Sequence, residues 1–104
     1  MNPRSLASLA PPPSFRLLVK LPVPGRAGVV EMRFRTRTRT ELAEFAKELA
    51  GMTDEAAIAA VAEGWNLADE FNAESIAALC EAVPGAGHAI VQAYLRESTG
   101  AEVG

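Results

Sequence analysis

Cysteine, histidine, tryptophan and tyrosine each occur once, as Cys80, His88, Trp65 and Tyr94, and aromatic residues make up only 6% of the chain. A lone cysteine excludes an internal disulfide and fits a reducing cytoplasm; within the helical pattern IAALCEAV it reads as a small buried hydrophobe. One His and one Cys cannot build a zinc site within one chain, and Asp69-Glu70 lacks the spaced oxygens and the glycine of a calcium loop. His88 has no Ser or Cys motif beside it, so a surface or capping role outweighs that of a general base. Gly85-Ala86-Gly87 at a helix start has the look of a phosphate cradle, but the P-loop lysine and the dinucleotide fingerprint are both missing. No apolar run approaches the roughly 20 residues that span a bilayer, and no signal-peptide pattern is visible. These absences leave no catalytic, cofactor-binding or metal-ligating residue to name, and the expectation is a soluble, intracellular, non-catalytic protein.

What is present is alanine and charge. At 104 residues the chain suffices for one domain with one modest core. Apolar residues reach 49%, but many are Ala, which favours helix and buries little area. The few large side chains must supply the driving force. The net charge of −3 conceals a polarity along the chain. Residues 1–40 carry eight basic groups against Glu31 alone, a balance of +7, whereas residues 41–104 carry Lys47 and Arg96 against twelve acids, a balance of −10. Such halves can mark a nucleic-acid face, attract each other, or attract a second copy.

The opening MNPRSLASLAPPPS has no periodicity, and its three consecutive prolines favour extended conformation, so residues 1–14 read as a disordered leader. Then FRLLVKL alternates Phe15, Leu17, Val19 and Leu21 with Arg16, Leu18 and Lys20, the period of a half-buried strand. A seven-residue Pro/Gly-rich connection leads into VVEMRFRTRT, where Val30, Met32 and Phe34 face one way. The two runs predict an antiparallel hairpin over 15–37. Thr38-x-x-Glu41 has the form of a capping box and opens a helix over 39–50, with Leu42, Phe45, Ala46 and Leu49 as its stripe and Gly51 as its stop. Thr53 or Asp54 caps a second helix over 54–65, whose buried side is Ile58, Val61, Ala62 and Trp65. Asn72 caps a third over 73–83 on Ile76, Leu79, Cys80 and Val83. Pro84-Gly85 ends it, and a fourth runs over 86–98 on Ala89, Ile90, Ala93 and Tyr94, with Gly100 as its stop and 101–104 as a frayed tail. The fold class is α+β: an N-terminal hairpin packed on a cluster of about four short helices, in a single domain over 15–100. Trp65 is expected at the centre of the helical core, where truncation to Ala would cost roughly 3–5 kcal/mol.

The sharpest electrostatic feature is the series Arg33, Arg35, Arg37 and Arg39. Spacing of two along a strand would place the guanidinium groups on one face about 6–7 Å apart, near the phosphate spacing of a nucleic-acid strand. The alternative is a solvated face that discourages edge pairing, or one that binds protein. No aromatic residue is interleaved for base stacking. The solvated or protein-binding reading therefore outweighs nucleic acid, and the four arginines are candidate partner-binding residues.

The hairpin, the helix ending in Gly64-Trp65, the acidic connector with Asp69 and Phe71, the helix bearing Leu79, and the Pro84-Gly85 break followed by Ile90, Tyr94 and Thr99-Gly100 together resemble the tail assembly chaperones of tailed bacteriophages. The likeness covers residues 15–103 and rests on the spacing of rare residues. It implies a non-enzymatic phage or prophage protein of the host bacterial cytoplasm, absent from the mature virion. Such a protein would bind the tape-measure protein, keep it soluble and help recruit tail-tube subunits, with self-association of neighbouring copies. The competing classes are a small nucleic-acid-binding or regulatory protein using the Arg-rich strand, and a structural or adaptor subunit of a phage particle. The Pro-rich leader and the Arg-rich second strand depart from the family's pattern.

Overall fold

Alternation of large apolar and charged residues gives the chain its first two strands, and their register confirms the hairpin. In a computed structural model that describes residues 5–100, β1 (Ser14–Leu21) pairs antiparallel with β2 (Gly28–Arg35), from Ser14 opposite Arg35 to Leu21 opposite Gly28. Between them Val23–Arg26 closes with a hydrogen bond from the Arg26 amide to the Val23 carbonyl. Pro24 and Gly25 occupy its centre, and Gly25 has φ 85°, the combination a type II turn requires. Val19, Leu21, Val30, Met32 and Phe34 are buried on the inner face.

The helices start where the local chemistry places them. The Glu41 amide donates to Thr38 Oγ1 and the Thr38 amide donates to Glu41 Oε1, a complete capping box at the head of α1 (Arg39–Leu49). Thr53 Oγ1 accepts from the Ala56 amide at the head of α2 (Asp54–Val61), and Asn72 Oδ1 accepts from the Ser75 amide at the head of α3 (Ala73–Ala82). The break at Pro84-Gly85 turns the chain by 109° into α4 (Ala86–Thr99), which Gly100 closes in the left-handed conformation.

One element differs in kind from expectation. The second helix stops at Val61, and Ala62–Trp65 forms a third strand, β3, on the far side of β2, giving the sheet order β1-β2-β3. Gly64 is a poor helix former, Trp65 suits a pleated surface, and the open edge of β2 offers hydrogen bonds that one more helical turn could not supply. Met32 pairs with Trp65, Arg33 with Gly64 and Phe34 with Ala62, so Glu63 is the extra residue of a bulge. Asn66 extends the ladder: its amide donates to the Glu31 carbonyl, and its Oδ1 accepts from the Glu31 amide.

The core is consequently not centred on Trp65. Tyr94, with 0% exposure, occupies that place, ringed by Phe34 at 5.3 Å, Phe15 at 6.1 Å and Phe45 at 6.2 Å between ring centroids. These rings come from α4, β2, β1 and α1, so one side chain ties sheet and helices together. Trp65 is half-buried, packs edge-on against Phe71 at 4.9 Å and donates from Nε1 to the Asp69 carbonyl at 2.8 Å. Within the leader, Leu6–Leu9 form a 3-10 turn with no buried residue. The first four residues and the tail at 101–104 lie outside the described residues.

Candidate functional site: the open face of the sheet

The helices gather on the inner face of the sheet, and no described element covers the outer face. Alternation puts Arg16, Leu18 and Lys20 of β1 outward, opposite Arg33, Glu31 and Val29 of β2. Leu18 is 66% exposed and Val29 58%, two aliphatic side chains in solvent among Arg16, Lys20 and Glu31. Arg16 and Arg33 stand directly opposite each other, and Arg33 is offset by an ion pair from its Nε to Glu63 Oε1 at 3.8 Å. Toward β3 the face deepens into a groove of about 490 Å³ bordered by Arg16 and Arg33, by Glu31, Glu63 and Glu70, and by Trp65 and Phe71. Its floor is Gly64, across which the Arg33 guanidinium lies; a Cβ at Gly64 would meet Arg33 Nη2 at 3.3 Å.

The four arginines of the series do not share this face. Arg33 and Arg35 lie on β2, exposed, but the strand ends at Arg35. Arg37 turns inward: it donates to the Ala60 carbonyl at 2.9 Å and to the Tyr94 hydroxyl at 3.2 Å, with its guanidinium 4.5 Å above the Phe45 ring. Arg39 is the exposed first residue of α1. Three of them share a structural task instead. Arg33 reaches the Glu63 carbonyl at 3.4 Å, Arg35 the Ala59 carbonyl at 3.5 Å and Arg37 the Ala60 carbonyl. The last turn of α2 carries no basic residue of its own, so cations from the neighbouring segment satisfy its free carbonyls. Three of the four arginines thus clamp the junction between α2 and β3.

Sequence reasoning had placed Arg16, Leu18 and Lys20 on the outward side without marking them as a site. The signal was there: Leu18 is an apolar residue at a polar position. Of the remaining candidates, Leu79 and Phe71 pack partly buried against the core, Ile90 is buried on α4, and Gly85 abuts Pro22, whose Cγ would lie 2.7 Å from an added Cβ. Pro84 is exposed at the break between α3 and α4. The space before Gly87 is filled by Asp54, whose Cβ and Cγ would lie 2.7 Å from an added Cβ, and an acidic side chain there opposes the phosphate-cradle reading. His88 is exposed and lines, with Lys20 and Arg96, a groove of about 460 Å³ between β1 and α4. Cys80 is half-buried; burial, with the carboxylates of Glu55 and Asp54, pushes its thiol up, which keeps it protonated at neutral pH. Among the described residues no group of three or more His, Cys, Asp or Glu is gathered to hold a metal ion, and no single helix is long and apolar enough to cross a membrane.

Compared with known families, residues 4–104 match the family model of phage tail assembly chaperones. The chain belongs to the phage tail assembly chaperone family. Comparison with curated proteins and with solved structures gives no match. The open sheet face carries two exposed aliphatic side chains among charges of both signs.

Proposed function

We propose that this chaperone acts without catalysis, binding the tape-measure protein through the outer face of its sheet and helping recruit tail-tube subunits during tail assembly. It works in the host bacterial cytoplasm and leaves before the virion matures. The observation that carries the reading is the pair Leu18 and Val29, exposed on a face that no described element covers, with Arg16, Lys20 and Arg33 beside them and Glu31 as the one acid opposite Leu18. Apolar contact supplies affinity for an amphipathic client helix, and the surrounding cations steer acidic segments of the client toward it.

The test is co-expression with the tape-measure protein. The wild-type chain is expected to keep the client soluble, and Leu18→Asp with Val29→Asp is expected to lose that effect while melting as the wild type does. Equal client solubility with and without the chaperone would sink the reading. Tight binding of nucleic acid in moderate salt, abolished by Arg16, Arg33 and Arg35→Ala, would replace it.

A further inference from the structure

Strand β1 is the outer strand of the sheet and pairs with β2 on one side only. In an antiparallel ladder, alternate residues turn their backbone groups toward the partner strand and the others turn theirs away. Two sets of bonds fix which are which. The Thr36 amide donates to the Pro13 carbonyl at 3.0 Å, one pair beyond Ser14 and Arg35, and Glu31 gives its amide and carbonyl to Asn66 on the β3 side. Phe15, Leu17, Val19 and Leu21 therefore bond to β2, whereas Arg16, Leu18 and Lys20 hold their amides and carbonyls out along the free edge, where no described residue bonds to them. The strand runs in unbroken register from Ser14 to Leu21, with no bulge to spoil the edge as a template.

A groove of about 460 Å³ follows this edge. Its β1 wall is made by Leu18, Val19 and Lys20, residues from both faces of the strand, which places it along the edge and not over either face. The facing wall is α4, where His88, Gln92 and Arg96 recur every fourth residue as one stripe of the helix. Ala89 and Ala93 lie between them, with side chains small enough to leave room for another backbone. Lys20, His88 and Arg96 line this groove and no acid does, in a chain whose net charge is −3.

We infer that the groove between β1 and α4 takes an extended acidic segment of a partner protein, which adds to the sheet as a further strand beside β1. Main-chain hydrogen bonds to Arg16, Leu18 and Lys20 hold the segment, and its carboxylates meet Lys20 and Arg96. The same cations repel a basic strand, so the edge is guarded against indiscriminate pairing and open to an acidic one. This goes beyond the tape-measure reading, which concerns the outer face of the sheet and a helical client.

The probe is a short synthetic peptide alternating valine with glutamate, with a valine–lysine peptide of the same length as control. Each is titrated against the full chain and followed by amide NMR and hydrogen exchange. The glutamate peptide is expected to bind and to protect the amides of Arg16, Leu18 and Lys20, while those of Leu17 and Val19, already in the ladder, keep their protection. The lysine peptide is expected not to bind. His88→Glu with Arg96→Glu changes two exposed positions off the outer face; this variant is expected to melt as the wild type does and to bind the glutamate peptide about tenfold more weakly. No binding, binding that leaves the three edge amides exchanging as before, or equal binding of the two peptides overturns the inference. So does a folded variant that binds as tightly as the wild type, or a free chain whose edge amides are already protected because a second copy or the leader occupies the groove. The client is absent from every arm, so failure here leaves the outer-face reading untouched.

Discussion

The Arg37 guanidinium donates a hydrogen bond to the Tyr94 hydroxyl at 3.2 Å, so the largest fully buried side chain among the described residues is anchored by a charge from the stretch just after β2. The same guanidinium covers the Phe45 ring and closes the end of α2. Arg37→Ala removes a charge-assisted hydrogen bond and a cation–π contact and leaves a buried hydroxyl without its donor. The expected loss is about 2–3 kcal/mol, seen as a fall of about 10 °C or more in Tm. Arg37→Lys should recover less than half of this, since an ammonium lacks the planar fork that serves two acceptors at once.

Trp65→Ala should cost about 2 kcal/mol in denaturant unfolding, roughly half of what a fully enclosed aromatic costs, because its ring is half-buried at the sheet edge. The damage should be local. Hydrogen exchange at residues 66–72 is expected to rise, since the Asp69 carbonyl loses its donor and Phe71 its edge-on partner.

Gly87→Ala would ordinarily gain about 1 kcal/mol from helix propensity. Here the new Cβ would fall 2.7 Å from Asp54 Cβ and Cγ, atoms fixed close to the α2 backbone, so α2 and α4 must separate. Net destabilisation of about 1–2 kcal/mol is expected by chemical denaturation. A stabilised variant would show that the α2–α4 contact yields at no cost.

The hydrogen bond from the Thr38 amide, followed by that from the Thr38 side chain and the charge of Arg37, holds the Glu41 carboxyl below its ordinary range. A depressed folded pKa gives stability that is fully present above the unfolded value of about 4.3 and is lost as pH falls through the folded value. Glu41→Ala should therefore melt lower than wild type at neutral pH, with the difference shrinking through the acid carboxylate range. Glu41→Gln, which can still reach the Thr38 amide, should remove that pH dependence. Parallel melts from pH 7 to pH 2 would check it.

The features that could be read from the chain are those whose cause lies within a few residues. Period-two alternation gave the hairpin, and Thr38 with Glu41, Thr53, Asn72 and Gly100 set helix ends through bonds spanning one turn. β3 escaped because its reason for existing is the open edge of β2, some thirty residues earlier, and Ala62–Trp65 continues a helical pattern well enough by itself. Arg37 misled for a related reason. The alternation of Arg and Thr runs on past Arg35 while the strand does not, and nothing local announces that the chain turns there. Trp65, the larger ring, is the expected core aromatic, and the packing of four elements around Tyr94 puts Tyr94 in that place instead. At the outer face the residues were assigned to the correct side, but their role depends on the face being uncovered, which is a property of the whole fold.

Ala62 is at once the end of α2 and the first residue of β3, with no loop between them. Most helix–strand connections contain slack; this one is a rigid elbow. Tilting α2 would pull on β3 and its ladder with β2, so α2 is coupled directly to the sheet. On the outer-face binding proposed above, a client would meet an anvil rather than a jaw.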